Sequence, residues 1–268
     1  MILNKIYQKI IDTSDDNYIS EPLIVGGVPR DIVLGASPGG DIDLTTNDAD
    51  CPRLGISFAS KEFLGFKMFE DGHVSVYTAD YTIDFSSNFI SPKAVEYLED
   101  QLEISDANLF EVYSRDFTIN TLQKKLMTDE FIDSTKLAEK DLDQRIIRTV
   151  TTPDICFGDD PRRLFRAINF ASRLGLRIDG SIVDYCKNNI DEISSEIGKS
   201  LREAFLTSIV SKSISNDPEK TLGYLIDMNL LSLVPLVGAF KEELIKRRMV
   251  AQYLDSSSLS LTKDNADL

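Results

Sequence analysis

The stretch Leu23 to Leu44, LIVGGVPRDIVLGASPGGDIDL, decides how the rest of the chain is read. Leu23 to Val25 is apolar enough for a buried strand, and Gly26-Gly27 ends it in a turn whose backbone N–H groups lie open. Ile32 to Leu34 then reads as the start of a short helix, so the turn lies near a helix N-terminus, a natural anion site. Asp41 and Asp43 stand two apart on an extended Asp-Ile-Asp-Leu and project from one face, while Ile42 and Leu44 point to the core. Neighbouring carboxylates repel, and a divalent cation offsets that cost. An Asp-x-Asp or a Gly-Gly by itself is most often a solvated strand end or a plain turn. Together, with Arg30 and Asp31 between them, they are the minimum equipment for moving a nucleotidyl group, with Gly26, Gly27, Arg30 and Asp31 as the candidate phosphate cradle.

With 268 residues the chain can hold one large or two modest domains, each with a core. Its hydrophobic share of 42% and charged share of 27% are those of a soluble globular protein. No apolar run is long enough to span a membrane, and Asn4, Lys5, Gln8 and Lys9 interrupt any signal-peptide core. Cys51, Cys156 and Cys186 are scattered and odd in number, which reads as reduced packing residues of a cytoplasmic protein. One histidine, His73, argues against His-based zinc sites and Ser-His-Asp triads. The net charge of −15 argues against a nucleic-acid partner as an average, but its distribution does not. Arg162, Arg163, Arg166, Arg173 and Arg177 fall between Pro161 and Ile178 with no acid among them, and Lys241, Lys246, Arg247 and Arg248 form a second cluster.

Two regimes follow one another. Residues 1–150 alternate short apolar strands with loops: HVSVYT (73–78) and YTIDF (81–85) read as an antiparallel hairpin, and IIRTV (146–150) as another short strand. From Asp160 onward the period is helical, with Leu164, Ala167, Ile168, Ala171 and Leu174 on one face and further helices near 181–193, 197–212 and 218–230. Asp217-Pro218 supplies a helix cap and first-turn proline. The expected architecture is α+β: a small mixed-sheet head (1–150), an all-helical part (151–254) and a polar tail (255–268).

RDFTIN (115–120) reads as a helix start continuing through Gln123, with Arg115 able to anchor a triphosphate and Asn120 available to a sugar or base. An ordinary helix start with a surface Arg-Asp pair is the alternative. Asp84 in YTIDF either supplies a third carboxylate near Asp41 and Asp43, bridging a metal or acting as general base, or faces solvent. In DDPRRLFR (159–166), Pro161 opens a helix, and Asp160 and Arg163, three apart, offer an acceptor beside a donor for the edge of a base. Arg166 extends that face by a turn. The alternative here is an intrahelical ion pair and nothing more.

These motifs in this order, GGVPRD, DID, SRDFTIN, IIRTV, DDPRRLFRAINFASRLGL and NDPEKTLGYLIDMNLLSLVPLV, resemble those of the class II tRNA nucleotidyltransferase and poly(A) polymerase family, within the polymerase β-like nucleotidyltransferase superfamily. The resemblance covers about residues 20–235. It implies that Asp41 and Asp43 bind catalytic Mg²⁺ as a two-metal site, that Gly27, Arg30 and Arg115 contact the incoming triphosphate, and that Asp160, Arg163 and Arg166 choose cytosine or adenine. It further implies that CTP and ATP are the substrates and that CMP and AMP are added to a tRNA 3′ end, with release of pyrophosphate and no nucleic-acid template. Arg173, Lys199, Arg202 and the 241–248 cluster are then expected to receive the RNA backbone. A poly(A) or A-adding polymerase shares the head motifs, and a catalytically inactive RNA- or nucleotide-binding module or transfer to a small molecule or protein are further readings. Four departures stand out: Pro29 for the usual Val, Ser114 for the first Arg of Arg-Arg-Asp, Asp159 for a frequent Glu, and Asn169 for a common Arg. The chain also ends short of typical members, which implies a weaker or differently built grip on the tRNA elbow. Oligomeric state is not legible.

Overall fold

Gly26 stands at φ 71°, ψ −126°, a conformation reserved for glycine, and the chain folds around this bend. The computed structural model describes residues 2–37, 39–86, 90–200, 203–247, 249 and 253. It divides into two units, Met1–Gln144 and Arg145–Leu268. The break falls six residues before the expected one, because Ile146-Ile147 pairs with a strand of the second unit.

In chain order the first unit contains α1 (Ile2–Asp16), β1 (Leu23–Val25), α2 (Gly27–Val33), β2 (Asp41–Thr45), α3 (Cys51–Glu62), β3 (Gly65–Met68), β4 (Val74–Tyr77) and β5 (Thr82–Phe85). Then come α4 (Pro92–Gln101), α5 (Ala107–Ser114), a 3₁₀ turn (Thr118–Asn120), β6 (Gln123–Lys125), β7 (Phe131–Ile132) and α6 (Ala138–Asp143). The strands form one sheet in the order β3-β4-β5-β2-β1-β6-β7, mixed because β2 runs parallel to β5 while the other pairs are antiparallel. The expected hairpin is present, with Val74 opposite Phe85 and Tyr77 opposite Thr82. Strand alternation buries Ile24, Ile42, Leu44, Val74, Val76, Ile83 and Phe85 against Tyr7 and Ile10 of α1 and Leu54 and Phe58 of α3. Gly55 lets α3 approach the sheet, since a Cβ there would lie 2.8 Å from the Phe85 ring.

Three expectations are corrected. The helix after the Gly-Gly turn begins at Gly27 rather than near Ile32. Pro29 sits in its first turn, where N–H groups have no intrahelical acceptor and the missing donor costs nothing. RDFTIN does not open a helix through Gln123. A single 3₁₀ turn is held by Thr118 Oγ1 donating to Asp141 (2.7 Å) and Thr121 Oγ1 to the Thr118 carbonyl (2.8 Å). The chain then re-enters the sheet as β6 beside β1. Finally, several segments read as loops are helices: Ser91 caps α4 by accepting from the Ala94 N–H (3.2 Å), and Asp106 caps α5 by accepting from Asn108 (3.0 Å).

The second unit contains β8 (Ile146–Ile147), α7 (Pro153–Asp159), α8 (Arg162–Leu174), β9 (Arg177–Ile178), α9 (Gly180–Asn188), α10 (Ile190–Ser200), α11 (Glu203–Asn216), α12 (Pro218–Asp227) and α13 (Gly238–Lys246). It is helical as expected except for the short parallel pair β8–β9, which takes Ile146-Ile147 out of the head and leaves Arg148 to Val150 outside any strand. Helix α8 buries Leu164, Phe165, Ala167, Ile168, Phe170 and Ala171, stops at Gly175 in the left-handed region (φ 67°), and packs on α11 and α12. Ser172 and Thr221 meet at 2.7 Å, and Asp217 caps α12 through the Lys220 N–H at 2.9 Å. The three cysteines form no disulfide and are buried, and burial pushes the Cys51 and Cys186 thiols up to about 12. Among the described residues no helix is long and apolar enough to cross a membrane. The tail from 255 onward lies outside the described residues.

Candidate active site

In the head, the parallel register of β2 and β5 sets Asp43 directly beside Asp84 and Asp41 beside Thr82. Asp84 therefore turns toward the Asp-x-Asp rather than away from it. Ser75 Oγ on β4 donates to Asp84 Oδ1 in a short hydrogen bond. Asp43, Asp84, His73, Ser86 and Arg115 line one cleft of about 280 Å³. Burial, then Asp84, then Asp41 raise the Asp43 carboxyl above its usual range, against the lowering influence of Arg115 and Arg30. Gly26 passes over this carboxylate so closely that a Cβ would stand 2.5 Å from Asp43 Oδ2.

Among the described residues no three His, Cys, Asp or Glu side chains form a ready metal cluster. The donor set nevertheless fits Mg²⁺, which takes one or two carboxylates and completes its shell with water and phosphate oxygens. The crowding that raises Asp43 is the repulsion such an ion relieves.

Arg30 and Asn120, 90 residues apart, meet through a 2.6 Å bond from Nη1 to Oδ1. Arg30 also pairs with Asp31 at 2.7 Å, and Asn120 Nδ2 donates to Asp116 (2.9 Å). With its side chain 4% exposed, Arg30 lies under the Gly27 turn and holds it, rather than presenting a free guanidinium. Arg115 is the more accessible cation. Its Nη2 is held by Glu111 (2.7 Å), its Nη1 donates to the Asn120 carbonyl (3.2 Å), and its Nε is a buried donor with no hydrogen-bond partner among the described residues. Such an orphan is uncommon, and here it belongs to a cation lining the Asp43–Asp84 cleft.

In the second unit, Asp160 does not pair with Arg163. It precedes the helix in an extended conformation (φ −154°, ψ 99°) and accepts from Arg162 through both backbone N (2.9 Å) and Nε (2.8 Å). Arg163 instead reaches back to the Cys156 carbonyl (3.2 Å). Arg166 and Arg173 each lie 5.5 Å from the Phe170 ring centre, in cation–π range. Asn169 accepts from Ser213 Oγ (3.3 Å) between α8 and α11. In the 241–248 cluster, Glu243 pairs with Arg247 (2.6 Å) and Lys246 (3.6 Å), which leaves it less basic than its sequence suggests. The Lys199 side chain, Arg202 and Arg248 lie outside the described residues.

Residues 23–148 match the poly(A) polymerase head domain. A tRNA nucleotidyltransferase of Schizosaccharomyces pombe is 30% identical over 205 residues, which cover 68% of this chain and 41% of that protein. An A-adding tRNA nucleotidyltransferase of Geobacter sulfurreducens is 32% identical over 178 residues, 62% of this chain and 19% of that protein. Among solved structures, a CCA-adding enzyme in complex with CTP superposes with a TM-score of 0.66 at 25% identity, over 86% of this chain and 52% of that one. The chain thus spans less than half the length of these curated relatives.

Within residues 23–148, three supporting residues escape a reading by motif. Glu111 bridges Thr45 Oγ1 (2.8 Å) and Arg115, and only its four-residue spacing to Arg115 hints at this. Asp116 orients Asn120, and Ser75 orients Asp84, the latter through a register that single-strand patterns do not encode. Ser114, where the family has Arg, donates to the Phe110 carbonyl (2.6 Å) and accepts from the Ser91 N–H (2.9 Å), so it ties α5 to the start of α4.

Proposed function

We propose that this chain is a template-independent RNA nucleotidyltransferase that uses CTP and ATP to add CMP and AMP to a tRNA 3′ end. The observation that carries this is the Asp43–Asp84 pair in one cleft with Arg115, whose buried Nε has no partner among the described residues. Asp41 and Asp43 would hold Mg²⁺, which when bound neutralises triphosphate charge and acidifies the attacking hydroxyl. The N–H groups opening α2 at Gly27, which have no intrahelical acceptor and no side-chain cap, are steadied from below by Arg30, Asp31 and Asn120 and receive phosphate oxygens. Arg115 adds a charge-assisted contact to the same triphosphate. Asp84, with Oδ1 held by Ser75, takes the proton of the RNA 3′-hydroxyl on its other oxygen. The 3′-oxygen bonds the α-phosphorus as the α–β anhydride breaks, and pyrophosphate leaves in line.

Asp160, Arg163 and Arg166 choose the base. Asp160 must first release Arg162, a partly exposed pair worth under about 1 kcal/mol that a bound base can displace. The resemblance to an A-adding enzyme favours a second reading, in which this chain adds only A. Incubating the protein with labelled CTP or ATP and tRNA ending before CCA separates the two. Three added nucleotides support the first reading, and A alone or a long A tail the second. An Asp41→Ala variant that folds yet still incorporates would overturn both.

A further inference from the structure

The cross-strand registers extend the catalytic face beyond the carboxylates. Asp43 pairs with Asp84, Asp84 with Ser75 and Ser75 with Lys67, and directly opposed residues share a sheet face. A second row runs Asp41, Thr82, Tyr77, Gly65. His73 and Phe69 fall on this face by alternation from Ser75 and Lys67, and the Phe69 N–H donates to the His73 carbonyl at 3.0 Å.

The side chains here are arranged as a platform. The Phe69 and His73 rings stack with centroids 4.0 Å apart, and Lys67 Nζ lies 4.2 Å from the Phe69 centre. Asp71 fixes the imidazole through Nδ1 at 2.6 Å, and His73 itself lines the Asp43–Asp84 cleft. Tyr77 is 44% exposed, and all four residues of β3 are exposed.

We infer that this β3–β4 surface, Lys67, Phe69, His73 and Tyr77, seats the terminal nucleotides of the acceptor RNA. The inference rests on the nucleotidyltransferase reading and assigns its second substrate. The Gly26-Gly27 turn and α2 lie on the β1 side of Asp43, so a triphosphate held there sends its leaving pyrophosphate toward β1. An in-line attack then requires the 3′-hydroxyl to arrive from the β5, β4 and β3 side. On that side the face offers aromatic rings for unstacked bases and one cation for the backbone, the pairing that single-stranded RNA ends require. Lys67 stands three strands from Asp43, about 14 Å at about 4.8 Å per strand, far enough to meet the backbone upstream of the reacting nucleotide.

The test uses the full chain with an RNA hairpin ending before CCA and carrying a 3′-terminal 4-thiouridine. Photocrosslinks are expected within residues 65–86. Lys67→Ala and Tyr77→Ala, both at exposed positions, are expected to raise the KM and Kd for RNA about tenfold each while CTP and ATP affinity stays within twofold. Unchanged RNA affinity with crosslinks outside 65–86 would overturn the assignment, as would a parallel loss of nucleotide affinity, which would make this a triphosphate surface. A protein that incorporates no nucleotide refutes the enzymatic reading, whereas crosslinking and RNA affinity still decide whether RNA binds here.

Discussion

Arg30 in the head and Arg162 in the second unit each pair with a nearby aspartate, yet they are built differently. Arg30 is 4% exposed and locked to Asp31 and to Asn120, 90 residues away, whereas Arg162 is 56% exposed and meets Asp160 two residues before it. The head holds its charged groups by tertiary contacts that exist before any ligand arrives, so it pays the cost of ordering during folding. Arg162 stands on a helix whose other face is core, and its aspartate partner is a local one, two residues away. Under the proposed function, the head's site for a triphosphate gains from rigidity, and a surface that accepts two bases gains from side chains that can swap partners.

The largest effect that probes this contrast is expected from Asp43→Asn, which removes transfer to background and at the same time stabilises the fold. Asp43 is raised mainly by burial and then by Asp84. The native state therefore holds that proton more tightly than the unfolded chain does, and the stability this gives is full at low pH and is lost as pH rises through the raised value. At neutral pH the ionised group is a cost that the amide removes, so Tm rises by about 2 °C or more without metal, and the gain fades toward the ordinary carboxylate range. Mg²⁺ should stabilise the wild type and not the variant. A lower Tm for Asp43→Asn at pH 7 without metal would show that this carboxylate is not crowded.

Next in size is Asn120→Ala, which strips one partner each from Arg30 and Asp116 inside the head. Loss of buried hydrogen bonds to charged groups predicts a cost of about 2–3 kcal/mol in urea unfolding, with nucleotide affinity falling as the Gly27 turn loses its support. A cost under about 0.5 kcal/mol would mean the head is no more pre-organised than α8.

The same contrast explains what could be read from sequence. The Asp-x-Asp alternation and the 73–85 hairpin follow from a period of two residues, and both are present. The Arg30–Asn120 bond spans ninety positions, and no local pattern carries it. Two misreadings lie at helix starts. Asp160 is extended and outside α8, so its three-residue spacing to Arg163 does not place them on one face. The turn at Gly26 lets α2 start one residue later, where a reader expecting a loop places it further on. Ser75 and Lys67 share the face of Asp84 only through strand register, which is decided by the whole sheet's burial.

The smallest expected effect lies on α8. Arg166 and Arg173 both sit over Phe170 at 5.5 Å on a helix surface, and an exposed cation–π contact contributes about 0.5–1 kcal/mol. Arg173→Ala should therefore cost no more than that in urea unfolding, and nucleotide binding by the head should be unaffected. Its trace should appear instead in RNA affinity measured against salt, where each lost contact to a single-stranded backbone lowers the slope by about 0.7. A stability loss above about 2 kcal/mol would make Arg173 a structural residue like Arg30. An unchanged salt slope would leave Phe170 as its only partner among the described residues and remove it from the RNA surface. The intermediate result, a small stability cost with a shallower slope, is what separates a cation kept at the surface for a mobile polyanion from one buried to hold a turn.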